Sequence, residues 1–408
     1  MTQLMKAFFD PTLDRKHPSL PEAPSEDQIR TALSMNNEKC PLNEVVLSDD
    51  NIGNMRILRD FAFTSLKRFN RSLRGCNFGI YASSGQGKTY VVKQFAKTIG
   101  IPFVFVQSAS ISNTWDLFEQ IKDAFSEHTF ERDVLNNGSP SKCKPIVEWK
   151  NEDDNTDFTI PPCIIFFDEA HLIPRKMMKG GLLNAMERDD GMMSIRAPGL
   201  KSDFKIVNCS NVCWIAATTE RGMLFDALEN RLGTAIEWHS AGVDEVASII
   251  KMKMDADEEL PFTMPEDVCK MVAKYRRVPR EAISFAIKVI LRRDIMPSYS
   301  WAEACDAVAS DIGLDEWGFT KKQVMILSAL GKRPIAESRL TGVAKCRIEQ
   351  VQKYELPYLM SYDGEGPYVV SVSGKGCCIT EAGLKELDKR GIEHKGLKIT
   401  AEHFESKR

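Results

Sequence analysis

The sequence predicts an α/β core built on a parallel sheet, followed by a small all-α domain and a C-terminal winged helix; three observations carry that expectation. Short apolar runs alternate with helical periods from about residue 77, the pattern of a parallel sheet covered by helices. Helical periods alone dominate from about 240 to 312, as in EVASIIKMKM and REAISFAIKVILRR. Beyond Gly313 come KKQVMILSAL and RIEQVQKYELPYLM, then PYVVSVSGKGCCITEAG with strand-turn-strand character, which fits three helices and a two-stranded wing.

A chain of 408 residues exceeds what one core supports, so two or three domains are expected. Its 43% hydrophobic and 27% charged residues are those of an ordinary globular protein and exclude a disorder-dominated chain. A formal charge of −3 makes no global case for nucleic acid, so any such case must come from one region. The eleven cysteines include no C-x-x-C pair and suit reduced thiols. The N-terminus lacks a long apolar stretch with a small-residue cleavage site, and no later run approaches the ~18 apolar residues of a membrane span. A cytoplasmic protein without membrane contact is the expectation.

Taken in chain order, residues 1–50 are rich in Pro and charge without a sustained period. They read as an extension, draped on the body or partly disordered. The large domain is expected over 51–239. It opens with a helix carrying Ile57, Leu58, Phe61 and Leu66, and continues through NFGIYA, the helix after Lys88, IPFVFVQ and TWDLFEQIKDAF. Residues 128–160 interrupt it as a polar, acidic loop, read as an insertion with its own role or as disorder. The sheet resumes with CIIFF and ends in Asp168-Glu169; a helix near 177–188 follows. Residues 191–209 are long enough for a projecting β-hairpin turning at Ala197-Pro198-Gly199, and Val212 to Ala217 form a buried strand closing in Thr218-Thr219. The all-α domain is placed at 240–314, the winged helix at 315–390 and a tail at 391–408.

The chemistry begins in the stretch IYASSGQGKTY, an apolar strand running into a Gly-rich turn. Gly85 and Gly87 can take backbone angles closed to other residues, so that consecutive N–H groups point inward at phosphate oxygens. Lys88 would neutralise the β and γ phosphates and Thr89 would offer its hydroxyl to Mg²⁺. Ser84, Gly85, Gln86, Gly87, Lys88, Thr89 and Tyr90 are therefore the candidate ATP-binding residues. The first glycine of the G-x-x-x-x-G-K-[ST] pattern is replaced by Ala82, a residue small enough to keep the turn. Asp168, some 80 residues later at a strand end, can join Thr89 in a Mg²⁺ shell, while Glu169 can polarise the attacking water. An isolated Asp-Glu pair is more often a solvated strand end; the Gly-rich loop at this spacing tips the reading to function. Thr218-Thr219 reads as a capped strand end or as hydroxyls beside a phosphate. Arg231 and Arg280 read as helix-end cations until a fold gives them another meaning.

The segments ASSGQGKT, IIFFDEAHLI, NAMERDD, IAATTERGMLFDALENRLG and VPREAISF resemble, in order and spacing, those of the AAA+ ATPases. Among these the chain looks most like the RuvB motors of Holliday-junction branch migration, over roughly residues 52–388. Glu355-Leu356-Pro357-Tyr358-Leu359 is similar to the E-P-Y-L segment of that family's winged helix. The resemblance implies catalytic roles for Lys88, Asp168 and Glu169, with Thr219 as a first sensor of the γ-phosphate. It implies Arg231 as an arginine finger acting on a neighbour's nucleotide and Arg280 as the arginine of the lid, the small helical domain. A finger in trans implies a homo-oligomeric ring, expected to be hexameric. The 191–209 hairpin corresponds to the element that docks on RuvA, and Met192, Met193 and Ile195 could form a partner-facing patch or pack on their own domain.

From Lys321 to Arg408 there are 16 Lys+Arg against 11 Asp+Glu, a basic bias in an otherwise acidic chain. Lys375 in the wing turn, with Arg339, Lys345 and Arg347 near the second helix, are the candidate contacts to duplex or junction DNA. A single lysine stands where the family has an arginine-bearing wing turn. The expected activity is ATP-driven translocation of duplex DNA in branch migration. The alternative is an AAA+ remodelling or loading ATPase that acts on a protein and uses its winged helix as an adaptor.

Overall fold

The computed structural model describes residues 24–68, 71–127, 146–150, 156–187, 191–196, 204–259, 263–360, 367–372 and 375–395. The hairpin turn at 197–199, most of the acidic insertion and the tail beyond 395 lie outside the described residues.

Five parallel strands form the central sheet: β1 (Phe78–Tyr81), β2 (Phe103–Gln107), β5 (Cys163–Asp168), β8 (Val212–Thr218) and β9 (Thr234–Glu237), in the order β2-β5-β8-β1-β9. The inner strands read as continuous apolar runs because helices cover both faces. Successive side chains of β5 face opposite ways. Ile165 and Phe167 join Trp214, α4 (Thr114–Glu127) and the broken helix at 175–185 on one side. Ile164 and Phe166 join Phe78, α2 (Ile52–Lys67) and α3 (Lys88–Ile99) on the other. Residues 24–50 belong to this second layer: α1 (Glu26–Ala32) and the turns after it bury Ile29, Leu33, Leu42 and Val45.

Parallel strands end on one edge. The register Tyr81↔Thr218 and Phe167↔Ala216 therefore lines up the carboxyl ends of β1, β8 and β5 as neighbours. That edge is where ligands bind in open α/β sheets.

A second, four-stranded sheet has the order β3-β4-β7-β6. β6 (Met192–Arg196) and β7 (Phe204–Asn208) are the expected hairpin, and β3 (Val147–Lys150) pairs antiparallel with β4 (Thr156–Thr159). β4 lies parallel to β7. The segment read as an acidic loop thus contributes two strands to the hairpin. Asp157 disguised them: it is buried, and its carboxylate accepts the Ile206 N–H at 2.6 Å. Of the two placements left open for the first hairpin strand, packing on its own domain holds for Met193 and Ile195, which are fully buried in that core. The outward apolar residues sit on the other strand, Phe204 58% and Ile206 41% exposed.

Four helices, α6 (Val243–Asp255), α7 (Glu266–Tyr275), α8 (Pro279–Ile295) and α9 (Trp301–Asp311), follow α5 (Asp226–Leu232) and β9, and they enclose a separate core. The last unit has α10 (Lys321–Leu330), α11 (Glu337–Ala344), a helix from Ile348 that ends as α12 (Leu356–Met360), and α13 (Glu381–Lys389). Antiparallel β10 (Val369–Val372) and β11 (Gly376–Ile379) form the wing, and Ile335 bridges Cys377 at its base. Among the described residues no helix is long and apolar enough to cross a membrane.

Candidate functional site

The Gly-rich loop joins β1 to α3. Gly85 and Gly87 have φ of 81° and 82°, the left-handed region that side chains resist. Ala82 is not among the positive-φ residues; its N–H extends the ladder to Thr218 O at 3.4 Å, so the missing glycine costs the turn nothing. Lys88 begins α3 buried, its Nζ donating to the loop's own carbonyls of Ala82 (2.9 Å) and Ser83 (3.3 Å). Burial holds this ammonium below the usual lysine value, against the pull of Glu169 and Asp168. Asp168, at the end of β5, is shifted the other way: burial and the adjacent Glu169 charge raise its pKa, and Lys88 opposes them.

Glu169 stands in the left-handed region at φ 51°, a strained place for a side-chain-bearing residue. Thr219 donates to Glu169 Oε2 from Oγ1 at 3.2 Å and from its N–H at 3.4 Å. Arg280, second residue of α8, completes the cluster by reaching back from the helical domain. A Cβ placed on Gly85 would meet Val278 Cγ1 at 2.6 Å and Arg280 Cβ at 3.4 Å. Sequence-predicted Lys88, Asp168, Glu169, Thr219 and Arg280 are thus brought together by the ends of β5 and β8 and the starts of α3 and α8.

The other loop residues divide. Ser84 is exposed, Thr89 half-buried at the first turn of α3. The Gln86 side chain turns away and accepts the N–H of Ala241 at 3.4 Å, in the linker to α6, which leaves its backbone for a ligand. Tyr90 packs in the second layer with the Lys253 ammonium of α6 4.5 Å from its ring centroid. Arg231 is held elsewhere: at the end of α5, 39% exposed, it forms an ion pair with Glu187.

Three residues escaped sequence reasoning. His171, buried behind Glu169, shares a 2.7 Å hydrogen bond with Thr218 Oγ1 and lies 3.4 Å from Glu169 Oε2. Its position inside IIFFDEAHLI was the available signal. Arg221 donates to Glu229 at 2.8 Å and to Glu237 at 2.7 Å and stacks 4.5 Å over Tyr81, bracing the loop after β8. Glu187, the partner of Arg231, lies inside NAMERDD, which was the available signal.

The residues present fit a nucleoside triphosphate with Mg²⁺. A buried lysine that hydrogen-bonds loop carbonyls sits beside a two-glycine cradle. Facing it is a desolvated carboxylate, with the Thr89 hydroxyl one residue away from the lysine.

The four candidate DNA contacts are all exposed on the last unit. Lys375 precedes Gly376, whose added Cβ would lie 2.7 Å from Ala336 Cα, so the wing turn abuts the start of α11, where Arg339 lies. Lys345, at φ 52°, ends that helix, and Arg347 caps the next.

Comparison with known proteins agrees with this geometry. Residues 78–240 match the family model described as ATPase family associated with various cellular activities (AAA). No curated protein matches the chain significantly. Among solved structures, the RuvB Holliday-junction branch-migration motor of Thermotoga maritima is 16% identical, with TM-score 0.51 over 89% of this chain and 95% of that one. An arginine-to-alanine mutant of the same protein superimposes with TM-score 0.56 at 16% identity, over 86% of this chain and 98% of that one. A proline-to-glycine mutant gives 0.54 at 15% identity, over 89% and 95%. Residues 78–240 are thus an AAA ATPase domain, an ATP hydrolase, on a chain with the RuvB fold.

Proposed function

We propose that this AAA ATPase hydrolyses ATP in an oligomeric ring, expected to be hexameric, to translocate duplex DNA and drive Holliday-junction branch migration. The observation that carries the reading is the convergence of Lys88, Asp168, Glu169 and Thr219 from one sheet edge with Arg280 from the helical domain. Lys88 and the loop amides would bind the β and γ phosphates; Thr89 and Asp168 would hold Mg²⁺, which when bound would supply positive charge at those phosphates. Glu169, aligned by Thr219 and backed by His171, takes the proton of the attacking water. Arg231 completes the site of the neighbouring protomer, a contribution worth about 10³–10⁵ in rate.

Motion follows from contact. Val278 and Arg280 rest on Gly85, so whatever fills the loop alters the angle at which the lid sits. Lys375, Arg339, Lys345 and Arg347 would then carry the DNA backbone with the last unit. A second reading, a remodelling or loading ATPase whose winged helix grips a protein, has one observation in its favour. The helix from Ile348 exposes Glu349, and Gln352 is tied to Glu337 at 2.6 Å, where a phosphate-binding row would be basic.

ATPase rate measured against protein concentration, with and without four-way-junction DNA, tests both. A steep concentration dependence and salt-sensitive stimulation by DNA are expected. No response to any DNA at any ionic strength would leave only the second reading.

A further inference from the structure

The link between α7 and α8 touches both the nucleotide site and the winged helix. Its residues run Arg276-Arg277-Val278-Pro279-Arg280. Two of them face the phosphate loop, Val278 and Arg280 lying against Gly85. Arg277 faces the other way: its guanidinium stands 4.9 Å from the ring centroid of Tyr368, 5.8 Å from Tyr358 and 5.9 Å from Phe319. Those rings are the buried aromatic centre of the winged helix, Phe319 meeting Tyr358 at 5.5 Å and Tyr368 at 5.3 Å. Beside them, Gly318 is packed on the backbone of Tyr275, the last residue of α7; an added Cβ would lie 2.7 Å from Tyr275 O. One five-residue segment therefore touches the phosphate loop with one end and is seated in the winged-helix core by the other.

We infer that Arg277 is a positioning residue that couples the nucleotide site to the winged helix, seating the lid in the Phe319–Tyr358–Tyr368 cage so that the two move as one body. Part of this rests on the proposed function, since DNA is the load that the winged helix is taken to carry; the mechanical coupling does not. The ring contacts of Arg277 are with the winged-helix core, away from Gly85 and from the DNA candidates on the surface, so Arg277→Ala is expected to leave each binding surface in place. A planar guanidinium stacked on rings is not replaced by the point charge of lysine.

Two measurements on the full chain test it. Hydrogen exchange is followed with and without a non-hydrolysable ATP analogue and Mg²⁺. In the wild type, nucleotide alters exchange in the loop at 82–90 and also in the winged helix, over 319–330 and 367–379. In Arg277→Ala the loop response persists and the winged-helix response disappears; Arg277→Lys, which keeps the charge and guards against loss of folding, shows a reduced response. A winged-helix response of wild-type size in both variants, or none in the wild type, overturns the inference. The second measurement is the factor by which junction DNA changes affinity for the analogue, typically about 5- to 150-fold where sites are coupled. Arg277→Ala brings it to within about twofold of unity while each ligand alone binds as in the wild type. A merely structural arginine would instead change the separate affinities. A wild type that passes the exchange test and binds no DNA refutes the DNA motor and leaves the coupling intact.

Discussion

Replacing Gly85 by alanine isolates the contact between phosphate loop and lid. Two costs arise, and the neighbouring glycine separates them. At φ 81° any Cβ is disfavoured, by about 1–2 kcal/mol. Here the new Cβ also meets Val278 Cγ1 at 2.6 Å, an overlap that obliges the lid or the loop to shift and costs about 1–3 kcal/mol. Gly87, at φ 82°, has nothing within 4 Å of such a Cβ and bears only the first cost. Urea unfolding should therefore show Gly85→Ala less stable than Gly87→Ala by about 1–3 kcal/mol. Removing the obstacle provides the control. In a double-mutant cycle, Val278→Ala combined with Gly85→Ala should restore most of that difference, since the atom struck is gone. A coupling below about 0.5 kcal/mol in the cycle would mean that the lid does not rest on the loop in solution. The mechanical reading of the site would fall with it.

The remaining expectations concern the other catalytic candidates and one surface. Glu169→Gln keeps nucleotide binding and loses turnover, with kcat down by at least the ~10²–10⁴ of general-base catalysis; wild-type ATPase activity would contradict its role. Arg231→Ala leaves the protomer folded and lowers the rate of the assembled protein by about 10³ or more, and wild-type activity at high protein concentration would remove it from the site. Asp168 has its pKa raised in the nucleotide-free fold. The folded state therefore keeps its proton above the ordinary aspartate range, and this group's contribution to stability falls as pH rises through that window. Lys88 is lowered, so its contribution improves as pH rises through the window just below 10.5. Lys88→Met and Asp168→Asn should each raise the melting temperature measured without nucleotide at neutral pH, while abolishing nucleotide binding or turnover. A fall in melting temperature of either variant would overturn this account. Phe204→Ser with Ile206→Ser should leave basal ATPase unchanged and weaken any partner docking on β7; unchanged capture of a RuvA-like partner would exclude that face.

Much of the site was readable from residue types because its chemistry is local. Gly85, Gly87, Lys88 and Thr89 lie within one turn, and Asp168-Glu169 closes an apolar strand that can hardly be anything but buried. What escaped depends on distant partners. Sequence cannot show that Glu169 sits at positive φ, or that Glu187 holds Arg231, since neither follows from a neighbour in the chain. Strands β3 and β4 were hidden because a buried aspartate breaks their alternation and their support comes from β7. The segment at 24–50 was hard to read for a related reason. Its anchoring is polar as well as apolar: Asn43 donates to the carbonyls of Ser34 (2.9 Å) and Asn37 (2.8 Å) and accepts from Arg59, a pattern without a period.

The pairing of β4 with β7 also carries a consequence for how the chain reaches its native state. The Asp157 bond to Ile206 joins residues 49 apart, and the intervening chain must first enter the main sheet as β5, between β2 and β8. The β6–β7 hairpin can form on its own, but its outer neighbours are set only after β5 is in place, because a long loop must close before that contact gives any return. The second sheet is therefore expected to assemble late, leaving β7 a bare edge open to strand addition during biosynthesis.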